Sequence, residues 1–258
     1  MGKLLTIDGL NIVRRVYEAN SDAPDSDEKA ARALINALSS FRKMLGTHMP
    51  THVLAAFDFG GHTWRHDLYP NYRQDRTPMP DPLKQAMPGF YKSLADIGVA
   101  VVSVPGCEAD DVIGTVTLRW LAEGRGEAIV VSSDKDLHVL IEQGAMIWDH
   151  FKGEWHDRAW VRNKFGVEVE MLADYLALMG DATDGVPGVS KIGAKTAAKL
   201  LNSYHTLDGV MAGAGILINP LGTKLRNEAG MARLSRQLVQ LKTDVQVGVT
   251  WSMLRYAV

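Results

Sequence analysis

The sequence predicts an α/β protein with a central, mainly parallel sheet, followed by a C-terminal helical region that carries a helix-hairpin-helix. Three observations predict it. Short apolar runs alternate with helical patterns over the first ~150 residues. Each of the first four strand candidates ends in acid. From about Asp157 the strand pattern stops, and only helical spacing remains, interrupted by the glycine-rich segment Gly180–Gly193.

Taken in order, the strand candidates are Lys3–Ile7, His52–Phe57, Val99–Val104, Ala128–Val131 and Ala145–Trp148, mostly rich in Val, Ile or Leu, as strands buried on both faces are. Between the first two, Ala30, Ala33, Leu34, Ala37, Leu38, Phe41 and Leu45 recur at helical spacing. Asp25 with Glu28 three residues on resembles a capping box for that helix. From Tyr69 to Ala95 the pattern changes to a basic and aromatic stretch with four prolines, then a short helix, which reads as an excursion from the sheet. A turn at Lys152-Gly153 closes the strand-rich part. The expected domains are therefore 1–157 and 158–258, with Val245–Trp251 as a strand that could return to the sheet.

Of 258 residues, 46% are hydrophobic and 22% charged, a composition that excludes disorder, collagen and coiled coil. No run approaches the ~18 apolar residues of a membrane span, so no membrane partner is expected. The single cysteine, Cys107, cannot form an internal disulfide or a zinc finger, and it fits a reducing cytoplasm. A net charge of -2, from 28 basic and 30 acidic residues, would argue against a phosphate-backbone partner if the charges were mixed. They are segregated.

Asp8 ends the first strand and Asp58 the second; Glu108, Asp110 and Asp111 follow the third, Asp134 and Asp136 the fourth. Parallel strands gather these ends along one edge, where open α/β sheets bind ligands. In Glu108-Ala109-Asp110-Asp111 at a helix start, Glu108 and Asp111 share a face. Two carboxylates ~5 Å apart repel by ~3 kcal/mol at an effective dielectric of ~20, so the set needs protons or cations. Hard divalent ions with oxygen ligands, Mg²⁺ above all, match best, and the chemistry they suit is two-metal phosphoryl transfer.

Two more acids, Asp181 and Asp184, precede a glycine-bounded hairpin, Gly188–Gly193, that opens a helix with Lys191, Lys195 and small residues. Its glycines let a phosphate approach the backbone, and the amides at the next helix start favour an anion without reading bases.

Six ordered motifs now resemble one family. They are Ile-Asp-Gly-Leu-Asn (7–11), Ala-Phe-Asp (56–58), Tyr-Arg-Gln-Asp-Arg-Thr-Pro-Met-Pro (72–80), Glu-Ala-Asp-Asp (108–111), Ser-Ser-Asp-Lys-Asp (132–136) and Gly-Asp-Ala-Thr-Asp-Gly-Val-Pro-Gly-Val (180–189). The chain resembles the 5'-nucleases of the flap endonuclease superfamily, and is similar to the 5'-nuclease domain of bacterial DNA polymerase I with no polymerase attached. The resemblance implies a PIN-like nuclease core, a helix-three-turn-helix in the helical domain, and metal-dependent cleavage of flapped or branched DNA in replication and repair. By it, Asp8, Asp58, Glu108, Asp110 and Asp111 serve one Mg²⁺ position and Asp134, Asp136, Asp181 and Asp184 a second, with Mn²⁺ as a substitute. It also implies a K⁺ held by backbone carbonyls of Leu178, Met179, Pro187, Val189 and Ile192. DNA contacts are implied from Lys191, Ile192, Gly193, Ala194, Lys195 and Thr196. In the proline-rich region it implies Arg73 and Arg76 over the scissile phosphate, and Tyr69 or Tyr72 stacking an unpaired base. A monomer is expected. Rival readings are a branched-DNA binder with weak or no catalysis and a PIN-type ribonuclease; an aspartyl phosphatase is set aside because Leu10 stands where its second Asp would be.

Overall fold

A computed structural model describes residues 2–19, 23–216 and 218–257. In chain order its elements are β1 (Gly2–Asp8), α1 (Gly9–Glu18), α2 (Asp27–His48), β2 (His52–Ala56), α3 (Trp64–Leu68), α4 (Asp81–Asp96), β3 (Ala100–Val102), α5 (Ala109–Ala122), β4 (Gly126–Val131), β5 (Met146–Asp149), β6 (Glu154–His156), α6 (Arg158–Phe165), α7 (Leu172–Met179), α8 (Ala194–Tyr204), α9 (Leu207–Ala214), α10 (Pro220–Asn227) and α11 (Ala229–Val239). They form two compact units. The first comprises 1–61, 77–155 and 242–258, the second 62–76 and 156–241.

The first unit is built on a sheet of order β3-β2-β1-β4-β5-β6, in which β1 pairs in parallel with β2 and β4, β2 with β3, and β4 with β5. Strand alternation explains its two faces. Leu5 and Ile7 join a core with Phe41 of α2 and Leu83, Phe90 and Leu94 of α4, where Phe41 and Phe90 meet edge to face at 5.9 Å. Thr6 points to the other face, and its hydroxyl lies 3.3 Å from that of Thr117 in α5. The chain order builds outward from β1 through β2 to β3, then jumps back across to β4. That reversal falls at the carboxyl ends of β1 and β4, where open α/β sheets bind their ligands.

Several local expectations change. Ser26, not Asp25, caps α2 by accepting from the Lys29 amide at 3.2 Å, while Asp25 accepts from the Tyr17 hydroxyl at 2.7 Å. The helix after the prolines is not short: α4 runs 16 residues, with Pro82 in its first turn and Pro88 inside. No strand forms at Val245–Trp251, where Gly248 adopts φ +72°. Pairing occurs further on. β3 reaches only Leu54–Ala56 of β2, which leaves the start of that strand open to a bridge with Arg255, antiparallel to His52. The Val53 amide donates to the Leu254 carbonyl at 2.8 Å.

The second unit is helical, with Leu176, Leu178, Leu201, Val210, Leu225 and Leu238 buried between its helices. Residues 62–76 belong to it because Arg65, 3% exposed, donates from Nε to the Leu238 carbonyl at 2.8 Å and from Nη2 to that of Gln240 at 3.2 Å. A cation there satisfies carbonyls left over at the end of α11. Among the described residues no helix is long and apolar enough to cross a membrane.

Candidate active site

Asp8 stands at the last position of β1, opposite Ala56, while Ile7 pairs with Val131 of β4. It therefore sits at the reversal of strand order, buried at 7% exposure. Its Oδ1 accepts the Asn11 amide at 3.0 Å, which caps α1, and its Oδ2 accepts the Ser132 hydroxyl at 3.0 Å. That same Ser132 oxygen accepts the Asp134 amide at 3.0 Å. One buried hydroxyl thus ties together the acids that end two neighbouring strands. The Asp136 amide donates to Asp134 Oδ1 at 3.0 Å, and His138, 1% exposed, places Nδ1 2.8 Å from the Asp134 carbonyl.

The third group of acids opens α5. Glu108 is its N-cap, and Glu108 with Asp111 forms a capping box, so these two do meet. Asp111 is fully buried, and both its oxygens accept backbone amides: Oδ2 from Glu108 at 3.3 Å and Oδ1 from Lys242 at 2.9 Å. It works as a brace between the helix start and the returning tail. Asp58 accepts the Ala109 amide at 2.9 Å, which joins the end of the second strand to the same helix.

Electrostatics show which carboxylates share one field. Burial pushes the Asp8 carboxyl up to about 7, the Asn11 amide opposes that, and the charges of Asp134 and Asp58 add to it. Asp110 is raised well above the usual carboxylate range, first by desolvation and then by Asp134, Asp8, Asp58 and Glu108. Asp110 keeps part of its surface open. Asp8, Asp58, Glu108, Asp110 and Asp134 form one repelling cluster, which puts Asp134 with the group from the other strands.

In the second unit, Asp181 and Val186 exchange amide hydrogen bonds of 2.9 and 2.8 Å, and the Thr183 amide donates to Asp181 Oδ1 at 2.8 Å. Asp184 is gripped by an arginine. Arg73 donates from Nε to Oδ1 at 2.9 Å and from Nη2 to Oδ2 at 3.1 Å, and its amide donates to the Asp184 carbonyl at 2.9 Å. Arg73 holds φ +54° to do so, and Arg76 Nη1 lies 3.9 Å from the same carboxylate. Tyr72 departs from its expected role. It is 3% exposed, its ring packs edge-on to His66 at 5.4 Å and lies under the Arg73 guanidinium, so it offers no open face to a base.

The hairpin after Asp184 doubles back on α7. The Val189 amide donates to the Leu178 carbonyl at 2.9 Å and the Ile192 amide to the Val189 carbonyl at 3.0 Å. Lys191, Gly193, Ala194 and Lys195 are exposed, Thr196 half-buried and Ile192 buried. No side chain caps α8; the Thr196 and Ala197 amides both donate to the Gly193 carbonyl at 3.0 Å, which leaves the two amides before them to an external acceptor. Gly188 has φ +63°, and a Cβ there would lie 2.5 Å from the Gly180 nitrogen. Gly188→Ala is expected to cost about 1–3 kcal/mol, read as a lower denaturation midpoint; an unchanged midpoint would show that the hairpin tolerates another path.

Sequence reasoning held Asn11 and Ser132 within its motifs but gave them no role, and it missed the tail amide of Lys242. Ser132 carried a signal, since it lies between the strand and Asp134. Lys242 carried none.

The chain matches the profile of the 5'-3' exonuclease N-terminal resolvase-like domain over residues 3–166 and that of the 5'-3' exonuclease C-terminal SAM fold over 167–258. It is 38% identical over 255 residues to a protein named flap endonuclease Xni from Shewanella amazonensis, covering 99% of this chain and 98% of that one. Xni from Psychromonas ingrahamii is 35% identical, covering 98% and 97%. Among solved structures it resembles bacteriophage T5 5'-exonuclease with bound zinc (TM-score 0.74, 19% identity, 93% and 90% covered). It also resembles a T5 flap endonuclease variant in a complex with DNA and metal ions (TM-score 0.76, 18% identity, 93% and 90% covered). At such identity the solved structures speak for the fold, a resolvase-like PIN domain followed by a SAM-like one. Matched end to end by both family profiles and by these relatives, the chain belongs to the 5'-3' exonuclease family.

Proposed function

We propose that the protein is a structure-specific 5' nuclease, a metal-dependent flap endonuclease and 5'-3' exonuclease that hydrolyses phosphodiester bonds near 5'-flap junctions. It would act as a monomer in the cytoplasm, in flap removal during DNA replication and repair. The observation that carries this reading is the cluster of Asp8, Asp58, Glu108, Asp110 and Asp134 at the strand-order reversal, whose carboxylates repel one another. The names of the Xni relatives support the same activity.

The donor set fits a hard cation such as Mg²⁺ or Mn²⁺: it offers oxygen ligands only, and burial together with the neighbouring acids raises the proton affinity of Asp8 and Asp110. An ion bound there would polarise the phosphate and lower the pKa of water. The chain's own part is positioning. Ser132 and the Asn11 amide orient Asp8, Ser132 holds the backbone at Asp134, and Asp111 fixes the start of α5. Asp136 beside Asp134 on the first unit, and Asp181 with Asp184 on the second, are the further acids that the family resemblance proposes for a second ion. A cation at Asp184 would compete with the Arg73 fork, so this second position is the weaker one. In the hairpin, the close approach of Gly188 to Met179 and Gly180 supports a K⁺ held by carbonyls of Leu178, Met179, Pro187, Val189 and Ile192. Lys191, Lys195, Thr196 and the α8 amides would grip duplex backbone.

The test is cleavage of a labelled double-flap DNA with Mg²⁺ or with chelator, beside Asp134→Ala. Cutting near the flap junction that needs Mg²⁺, and that falls by about 10²-fold or more in the variant, is the expected result. Salt-sensitive binding of the same DNA without cutting would make the protein a branched-DNA binder instead. Equal cutting of single-stranded RNA would favour a PIN-type ribonuclease.

A further inference from the structure

The tip of the hairpin holds an interaction that DNA binding by Lys191 and Lys195 does not account for. Ser190 is exposed, yet both its donors are engaged. Its amide donates to Glu228 Oε2 at 2.7 Å and its hydroxyl to Glu228 Oε1 at 2.6 Å. Lys224 Nζ donates to the same Ser190 hydroxyl oxygen at 3.2 Å. Glu228 is set firmly for this, because its backbone closes α10 and begins α11, with its amide on the Lys224 carbonyl at 2.9 Å. The two Ser190 hydrogen bonds, and then the charge of Lys224, hold the Glu228 carboxyl below the usual range, so it is an anion at neutral pH.

A backbone amide and a hydroxyl holding one two-oxygen anion, with an ammonium on that same hydroxyl, are donors of the kind by which proteins hold a phosphodiester. A carboxylate held on Ser190, next in the chain to Lys191, would also repel a DNA backbone brought to the hairpin. Both facts have one explanation. We propose that Ser190 and Lys224 form a phosphodiester-binding site on the hairpin, and that Glu228 occupies it in the free protein as a built-in competitor displaced by a DNA phosphate. The proposal rests on the reading that the hairpin binds duplex DNA. Binding at this site is an exchange of one anion for another, so each such contact is weaker than the donors alone would make it, and nicked product leaves more readily.

The experiment measures binding of the full chain to a plain DNA duplex in chelator, by fluorescence anisotropy across a salt series, for wild type, Glu228→Gln, Lys224→Gln and the double variant. Removing the competitor is expected to tighten binding about two- to fivefold, the worth of one exposed charge pair. Lys224→Gln is expected to weaken binding and reduce the salt slope by about one. In the double variant the gain from Glu228→Gln should vanish, because the site it frees has lost its cation. Binding by Glu228→Gln that is no tighter, at an unchanged melting temperature, would make Glu228 a brace of the hairpin and overturn the proposal. A gain that persists in the double variant would overturn it too, by reducing Glu228 to general repulsion. A misfolded Glu228→Gln would itself show that the carboxylate is structural. If wild type shows no salt-sensitive duplex binding, the nuclease reading fails, and this inference with it.

Discussion

Asp110→Asn is expected to do two opposite things at pH 8: raise the melting temperature of the metal-free protein and sharply lower cleavage. The gain follows from charge. Asp110 lies in the field of Asp134, Asp8, Asp58 and Glu108, and its carboxyl is driven upward by burial and by all four. An amide of the same shape removes one charge from that cluster, worth about 1–2 kcal/mol after discounting for its open face, or roughly 3–6 °C in a chain of this size. The loss has the same origin, because a cation held by repelling acids loses a ligand and its charge balance; a drop of about 10²-fold or more is expected. The two effects together mark an acid kept for function at the expense of stability. Differential scanning calorimetry with EDTA, beside a flap-cleavage assay, measures both. A variant that melts lower than wild type at pH 8 would show that Asp110 is held by hydrogen bonds rather than repelled.

The second large effect is the interplay of metal and protons. The folded Asp8 carboxyl sits at about 7 against an unfolded value of 3.8, so between these values the folded state binds more protons than the unfolded. The Asp8 contribution to the stability of the metal-free protein therefore falls as pH rises from about 4 to about 7 and levels off above, against an opposite slope from His48, His52, His66 and His150, which burial holds below the usual histidine value. A divalent ion needs the ionised carboxylate and opposes that loss. Mg²⁺ at about 100 times its dissociation constant should raise stability by roughly 2.7 kcal/mol and the melting temperature by roughly 5–10 °C at pH 8. The shift should shrink toward pH 6 as protons compete. EDTA should reverse it. A Mg²⁺ shift equal at pH 6 and 8 would mean that the ion binds away from Asp8.

How much of this was legible in the sequence follows from the range of the interactions. Strand positions and the acids that end them are local patterns, and parallel pairing turns them into one edge without further information; Asp8, Asp58, Glu108, Asp110 and Asp134 were readable for that reason. The cap of α2 went to Ser26 rather than Asp25 because the hydroxyl sits one residue nearer the helix, while Asp25 found Tyr17. Arg73 and Asp184 are 111 residues apart in sequence, and no spacing rule pairs a loop arginine with a distant acid. The buried state of Tyr72 was hidden likewise, since a tyrosine in a polar, proline-rich stretch reads as exposed. The sequence also offered one cut near residue 157, whereas the traffic of residues 62–76 and 242–258 between the units depends on Arg65 and on bonds such as that from Lys242 to Asp111, which leave no mark in composition.

That last strip of chain sets an order of events during synthesis. Residues 242–258 complete the first unit: the Lys242 amide binds Asp111, Val245 donates to Thr115 at 3.3 Å, Trp251 donates to Glu123 at 2.8 Å, and Tyr256 donates to the Thr51 carbonyl at 2.8 Å. A ribosome must therefore translate the whole helical unit before the acid-bearing unit can close. Until then Asp111 lacks one of its two backbone donors, and the start of α5 lacks its brace. The edge that carries Asp58, Glu108, Asp110 and Asp111 is therefore the part of the molecule that waits longest for its last partners.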